Sequence, residues 1–223
     1  MNQYLNWLKS SWQVGAVFLV WLFSFNLLQG QIQKHTDKNT AVGFGSFSWV
    51  LDEYDVGDRA YELTRAGAEL VKKECAKFST PENPRFCLGS IGPGTKLPSL
   101  GHITYDEMYA GYTEFCLALI DGGVDIFLLE TCQDPLQIKA ALHACQEANR
   151  QRGVEIPIMV SVTIELSGTM LIGTDAATIA TILEPFDILS LGFNCGTGPE
   201  QVEKHVKTLS EIWHKPISVH ANA

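Results

Sequence analysis

From about residue 55 onward the chain repeats one pattern, in which an amphipathic helical stretch alternates with a short apolar run rich in Val, Ile, Leu and Phe. Few architectures accept that repetition. A strand that is apolar along its whole length must be covered on both faces, as in parallel sheets, and parallel neighbours need a crossover long enough to hold a helix. The spacing predicts a helix over 58–78, a strand over 85–90, a helix over 104–122, a strand over 125–130 and a helix over 134–152. It continues with a strand over 157–163, a helix over 176–183, a strand over 187–193, a helix over 199–213 and a strand over 216–220. This order implies an α/β fold with right-handed crossovers, either a closed barrel or an open doubly wound sheet. No Gly-x-Gly-x-x-Gly turn opens a helix, which disfavours the dinucleotide-binding version.

Local signals support these elements. In the first helix Leu63, Ala66, Leu70 and Val71 are expected to line the buried side, with Arg65, Lys72 and Lys73 outward. Thr104 followed by Glu107 has the spacing of a capping box, and Gly122 with Gly123 supplies the stop. A chain of 223 residues with 46% hydrophobic content is long enough for one domain with a substantial core. The net charge of -9 argues against nucleic acid as a partner, because phosphate-binding domains carry a basic patch or stripe. A small neutral or zwitterionic ligand fits better. The six cysteines (Cys75, Cys87, Cys116, Cys132, Cys145, Cys195) lack the tight spacing of a disulfide scaffold. They read as reduced thiols of a cytoplasmic protein, most of them packed as small hydrophobes.

Residues 1–43 depart from this regularity. No charge occurs between Lys9 and Lys34, and 16–23 form an unbroken apolar run. A signal peptide would have a more basic start and a small-residue cleavage site. A membrane-spanning helix needs about 20 predominantly apolar residues, and 14–28 is shorter, with Ser24 and Asn26 inside it. A buried strand or helix is the favoured reading, since short apolar runs are usually core, and a membrane anchor is the alternative. The chain therefore divides into a divergent apolar segment, 1–43, and an α/β unit, 44–223.

In parallel α/β folds ligands lie beyond the carboxyl ends of the strands. Those ends read Gly89-Ser90-Ile91-Gly92-Pro93-Gly94, Glu130-Thr131-Cys132-Gln133-Asp134, Ser161-Val162-Thr163, Asn194-Cys195-Gly196-Thr197-Gly198-Pro199 and His220-Ala221-Asn222. The first is either a plain turn or a loop whose N–H groups approach an anion. Glu130 ends an apolar strand, so its charge must meet solvent, a cation or a hydrogen-bond donor; a ligand ammonium would serve, as would a lysine or a helix end. Cys195 lies in a glycine-flanked loop, where a thiol is accessible to metal or substrate.

Together these segments resemble the homocysteine S-methyltransferase family, in particular the homocysteine-binding barrel of its cobalamin-dependent methionine synthase branch. The resemblance runs from about Leu51 to the end of the chain and rests on several motifs in order. They are Leu51-Asp52-Glu53-Tyr54, Pro84-Arg85-Phe86, Gly89-Ser90-Ile91-Gly92-Pro93, Ile103-Thr104-Tyr105-Asp106, Gly122-Gly123-Val124-Asp125, Glu130-Thr131-Cys132-Gln133-Asp134, Asn194-Cys195 and Gly198-Pro199. It implies a (β/α)8 TIM barrel. By it Cys195 matches the first of three zinc cysteines, Glu130 matches an acid that binds the amino group of L-homocysteine, and Asn194 and Ser90 fall in substrate-binding loops. It further implies that zinc converts the homocysteine thiol to a thiolate, which attacks a methyl group carried by cobalamin on other methionine synthase modules.

The resemblance also implies an incomplete barrel. The family's first strand ends in an Asp-Gly-Ala-like motif and its second in a Glu-Thr-Asn-like one; neither is found up to Gly43, as a deletion or frame change between about Val20 and Gly43 would explain. The strand over 216–220 matches the seventh, so the last strand and the Gly-Gly-Cys-Cys pair are expected to be missing. Cys132 and His220 are the other metal-capable side chains at strand ends, and neither occupies a family ligand position. The expectation is a homocysteine S-methyltransferase fragment that is inactive alone. The alternative is a noncatalytic barrel fragment, acting as an interaction module or a membrane-anchored remnant.

Overall fold

The computed structural model of the protein describes residues 45–82 and 84–222. The apolar run over 16–23 and the altered stretch up to Gly43 lie outside the described residues, as does any structural test of the division at 43. The described chain opens with a short helix α1 (Ser48–Leu51) and two 3-10 turns, Asp52–Tyr54 and Gly57–Arg59. There follow α2 (Ala60–Phe78), β1 (Leu88–Ile91), a 3-10 turn (Pro98–Leu100), α3 (Tyr105–Asp121), β2 (Ile126–Cys132) and α4 (Pro135–Arg152). The remainder is β3 (Ile158–Val162), α5 (Ala176–Leu183), β4 (Ser190–Asn194), α6 (Pro199–Ile212) and β5 (Ile217–His220).

Among the described residues five strands pair in parallel, in the order β1-β2-β3-β4-β5. A doubly wound sheet reverses its strand order at a switch point, whereas this one advances one neighbour at a time. Right-handed crossovers that always step the same way put every connecting helix on the same side. The side chains agree: Phe127, Leu129, Val160, Val162, Leu191 and Phe193 join the large core against the helices, while Leu88, Leu128 and Met159 form a separate small cluster on the opposite face. Among the described residues, no helix is long and apolar enough to cross a membrane.

Helix α3 begins at the expected capping box, with the Thr104 side chain accepting from the Glu107 N–H and the Glu107 carboxylate returning to the Thr104 N–H. The buried stripe of α2 differs from expectation. It consists of Ala60, Thr64, Gly67, Ala68, Val71 and Cys75, while Leu63 and Leu70 are only partly covered and Ala66 is exposed. Close approach decides this: a Cβ on Gly122, just past α3, would lie 2.4 Å from the Ala68 Cβ and 2.8 Å from the Arg65 carbonyl oxygen. Small side chains are selected at that contact, and the leucines are displaced to its edge.

An ionic cluster joins the carboxyl ends of α3 and α4. Arg152, at the end of α4, reaches Asp121, at the end of α3, through two hydrogen bonds of 2.8 and 2.7 Å, and Tyr61 of α2 donates its hydroxyl to the same carboxylate. Arg152 is the main cause of the fall of the Asp121 pKa from 3.8 to about 2. A carboxyl lowered in the fold contributes stability above its unfolded value and loses it as the pH falls through its folded value. Asp121→Asn is therefore expected to cost about 1 kcal/mol at neutral pH, discounted for solvent screening of this partly exposed pair. Urea unfolding across pH should show that deficit shrinking as the pH drops from 3.8 towards about 2.

Candidate active site

The face of the sheet turned away from the helices changes character along the strands. At their amino ends it carries Leu88, Ile126, Leu128 and Met159; towards the carboxyl ends it carries Ser90, Glu130, Ser161, Asn194 and His220. Gly192 in β4 is bare because β5 passes too close: a Cβ there would sit 1.8 Å from the Ser218 carbonyl oxygen. The structure thus brings together Ser90, Glu130 and Asn194 at one end of one face, with Cys195 as the next residue after β4.

Glu130 is 6% exposed, and its carboxylate accepts from the Ser90 hydroxyl. No ion pair reaches it among the described residues. Burial raises its pKa, and the Ser90 hydrogen bond offsets only part of that. A buried carboxylate with one neutral donor retains acceptor capacity for a further donor.

Strand β2 does not run regularly past Glu130. Leu129 pairs with Val160 and Cys132 with Val162, so β2 uses three steps where β3 uses two. The additional residue is Thr131, with φ of 60°, in the left-handed region that β-branched residues avoid. This bulge turns Cys132 to the helix side, where it is 1% exposed and its thiol pKa is pushed far up by burial. Cys132, one of the two other metal-capable side chains at strand ends, is thus turned into the core by the bulge. Of the six cysteines, five are buried, as expected of core thiols, and Cys195 is exposed.

Asn194 ties the bulge to the cysteine loop. Its Oδ1 accepts from the Ser161 hydroxyl at 2.7 Å and the Thr131 N–H at 3.0 Å; its Nδ2 donates to Thr131 Oγ1 at 2.8 Å and to Cys195 Sγ at 3.2 Å. Its carbonyl accepts from Thr163 Oγ1 at 3.0 Å. Cys195 also has a positive φ, 56°, and its N–H donates to the His220 carbonyl at 3.2 Å. Each non-glycine residue held in this region costs about 1–2 kcal/mol, and such strain concentrates at functional sites. Thr131, Ser161 and Thr163 escape sequence reasoning as site residues because nothing in a Ser or Thr at a strand end announces a hydrogen bond to another strand.

No group of three His, Cys, Asp or Glu that could hold a metal occurs among the described residues. Zinc sites take three or four protein ligands, so Cys195 with its described neighbours does not fit zinc by itself.

Parallel strands in chain order, helices on one face and a polar cluster at the carboxyl ends place the domain in the α/β class to which barrel enzymes belong. The sequence model of the homocysteine S-methyltransferase family matches residues 34–223, and the chain belongs to that family. It is 42% identical over 173 residues to a methionine synthase of Mycobacterium leprae and 41% identical over 173 residues to one of Mycobacterium tuberculosis. Each match covers 78% of this chain but 14% of the relative, so the chain corresponds to a small part of those proteins. Among solved structures, the Escherichia coli homocysteine methyltransferase MmuM superposes in its metallated form with a TM-score of 0.67 at 19% identity, covering 79% of this chain and 64% of that one. Its oxidized form gives 0.69 at 19% identity, covering 81% and 64%. At that identity the likeness speaks for the fold.

The raised Glu130 pKa has a measurable consequence. A carboxyl raised in the fold costs stability as the pH climbs through the ordinary carboxylate range, and the whole cost is present above its folded value. Glu130→Gln keeps a partner for Ser90 and removes the charge. Calorimetry should find its thermal midpoint above that of the parent at neutral pH, with the difference lost below the ordinary carboxylate range.

Proposed function

We propose that residues 44–223 form part of a (β/α)8 barrel that binds L-homocysteine for S-methylation, with 1–43 as a separate divergent segment. The observation that carries this reading is Glu130, a buried carboxylate at the carboxyl end of the sheet with no cationic partner among the described residues. The ammonium group of an amino acid supplies the missing donor and charge. Ser90 holds the carboxylate in place from the neighbouring strand. The substrate sulfur would then lie towards the loop that carries Cys195.

Cys195 would contribute one thiolate to a zinc ion completed by ligands outside the described residues, and the chemistry such an ion would supply is a lowered pKa for the homocysteine thiol. The described residues hold no group of three potential ligands, so the chemistry of such an ion is not theirs alone. The methyl donor is cobalamin-borne on further modules, in keeping with the methionine synthase relatives, and those modules are the expected partners. The unpaired cysteines accord with a reducing, cytoplasmic setting.

Titration calorimetry with L-homocysteine tests the binding half. Glu130→Gln should weaken binding about 10- to 100-fold, the worth of one charge-assisted hydrogen bond. Metal analysis and a methionine assay with methylcobalamin test the other half: the chain alone is expected to hold less than one zinc per molecule and to form no methionine. Stoichiometric zinc with turnover, both abolished by Cys195→Ala, would overturn the reading that the chain is inactive alone.

A further inference from the structure

We infer that Asn194 is a positioning residue, a strut from β4 across β3 to β2 that fixes the Thr131 bulge and with it the direction of Glu130, rather than a contact for the ligand. The inference rests on the proposed homocysteine site and refines it.

Hydrogen-bond capacity makes the case. A side-chain amide has two acceptor lone pairs and two N–H donors. Both lone pairs of Asn194 are taken, by Ser161 Oγ and Thr131 N, and both donors are used, on Thr131 Oγ1 and Cys195 Sγ. The orientation of the amide is set by chemistry as well: a backbone N–H only donates, so the atom facing Thr131 N must be the oxygen. Asn194 is 6% exposed and its capacity is spent within the protein. A substrate would have to break one of these bonds to be held by it.

The partners show what the strut does. Thr131 stands outside the regular β2–β3 ladder, and its N–H finds its acceptor in Asn194. Without that acceptor the left-handed turn at Thr131 leaves a donor unsatisfied, and a regular extended strand becomes the competing state. The peptide that Asn194 holds joins Glu130 to Thr131, so the carboxylate is aimed from a fixed point. Ser161, 1% exposed on the intervening strand, anchors the amide from below.

Amide exchange at Thr131, followed by NMR relative to Leu129 on the same strand, reads the strut without any ligand. Asn194→Ala should speed exchange at Thr131 about tenfold over the change at Leu129, the equivalent of one net hydrogen bond. Asn194→Asp keeps an acceptor facing Thr131 N and should stay within about threefold of the parent. Where Asn194→Ala does not fold, Ser161→Ala removes one arm, with about a threefold effect expected and restored by Ser161→Thr. Homocysteine affinity should follow the exchange, falling in Asn194→Ala and held in Asn194→Asp. Unchanged Thr131 exchange in the alanine variant, or a rise shared equally by Leu129, overturns the strut. Failure of the parent chain to bind homocysteine would instead overturn the proposed function, and the exchange comparison would still decide the role of Asn194.

Discussion

Everything in this domain follows from parallel strands laid down in chain order, each returning through a helix on the same side. That constraint gives the two faces of the sheet unequal tasks. The helix-side face is sealed by α2 to α6 and must be apolar at every second residue, as Phe127, Leu129, Val160, Val162, Leu191 and Phe193 are. The other face is free to change along the strand axis, and it passes from Leu88, Leu128 and Met159 to Ser90, Glu130 and Asn194. The stable half of each strand and the chemical half share a backbone, which is why the polar cluster can be held rigidly with little polar structure beneath it.

Rigidity at the carboxyl end has a local cost. Thr131 and Cys195 both occupy left-handed backbone, a disfavoured state for residues with a Cβ. The cost is offset by a hydrogen-bond set with few loose ends: the amide of Asn194, the hydroxyl of Thr163 and the N–H of Cys195 are all engaged. Gly196, with φ of 62°, completes the loop where a Cβ would lie 2.5 Å from the Ile164 carbonyl oxygen. Backbone strain of this kind concentrates at functional sites, and here it lies beside the buried carboxylate of Glu130.

Much of this was legible in the sequence, for reasons that differ by residue. Periodicity and caps located the elements: the Thr104–Glu107 box does open α3, and the helix over 176–183 was read to the residue. The run Leu128, Leu129, Glu130 showed that an apolar strand ends in a charge, so Glu130 could be singled out from residues alone. The buried stripe of α2 was misread because hydropathy favours Leu63 and Leu70, whereas the interface selects for small size at Gly67 and Ala68. The first strand begins at Leu88 instead of residue 85, since the Cys87 carbonyl and N–H are already committed to Asp125. The network around Asn194 was invisible: the two donors to its side-chain oxygen are 33 and 63 residues away, and no local rule joins them.

The bulge at Thr131 also works as a counter. In a strand the side assignment of each residue depends on whether an even or odd number of residues separates it from a fixed neighbour, and one inserted residue inverts that assignment for all that follow. Upstream of Thr131 the count places Glu130 on the open face; downstream it places Cys132 among the helices. Straightening β2 so that Thr131 paired in the ladder in its turn would reverse the outcome and bring the Cys132 sulfur round to the side of Glu130. The bulge, by taking Thr131 out of the alternation, therefore decides whether the thiol two residues past Glu130 is buried among the helices or shares the open face with that carboxylate.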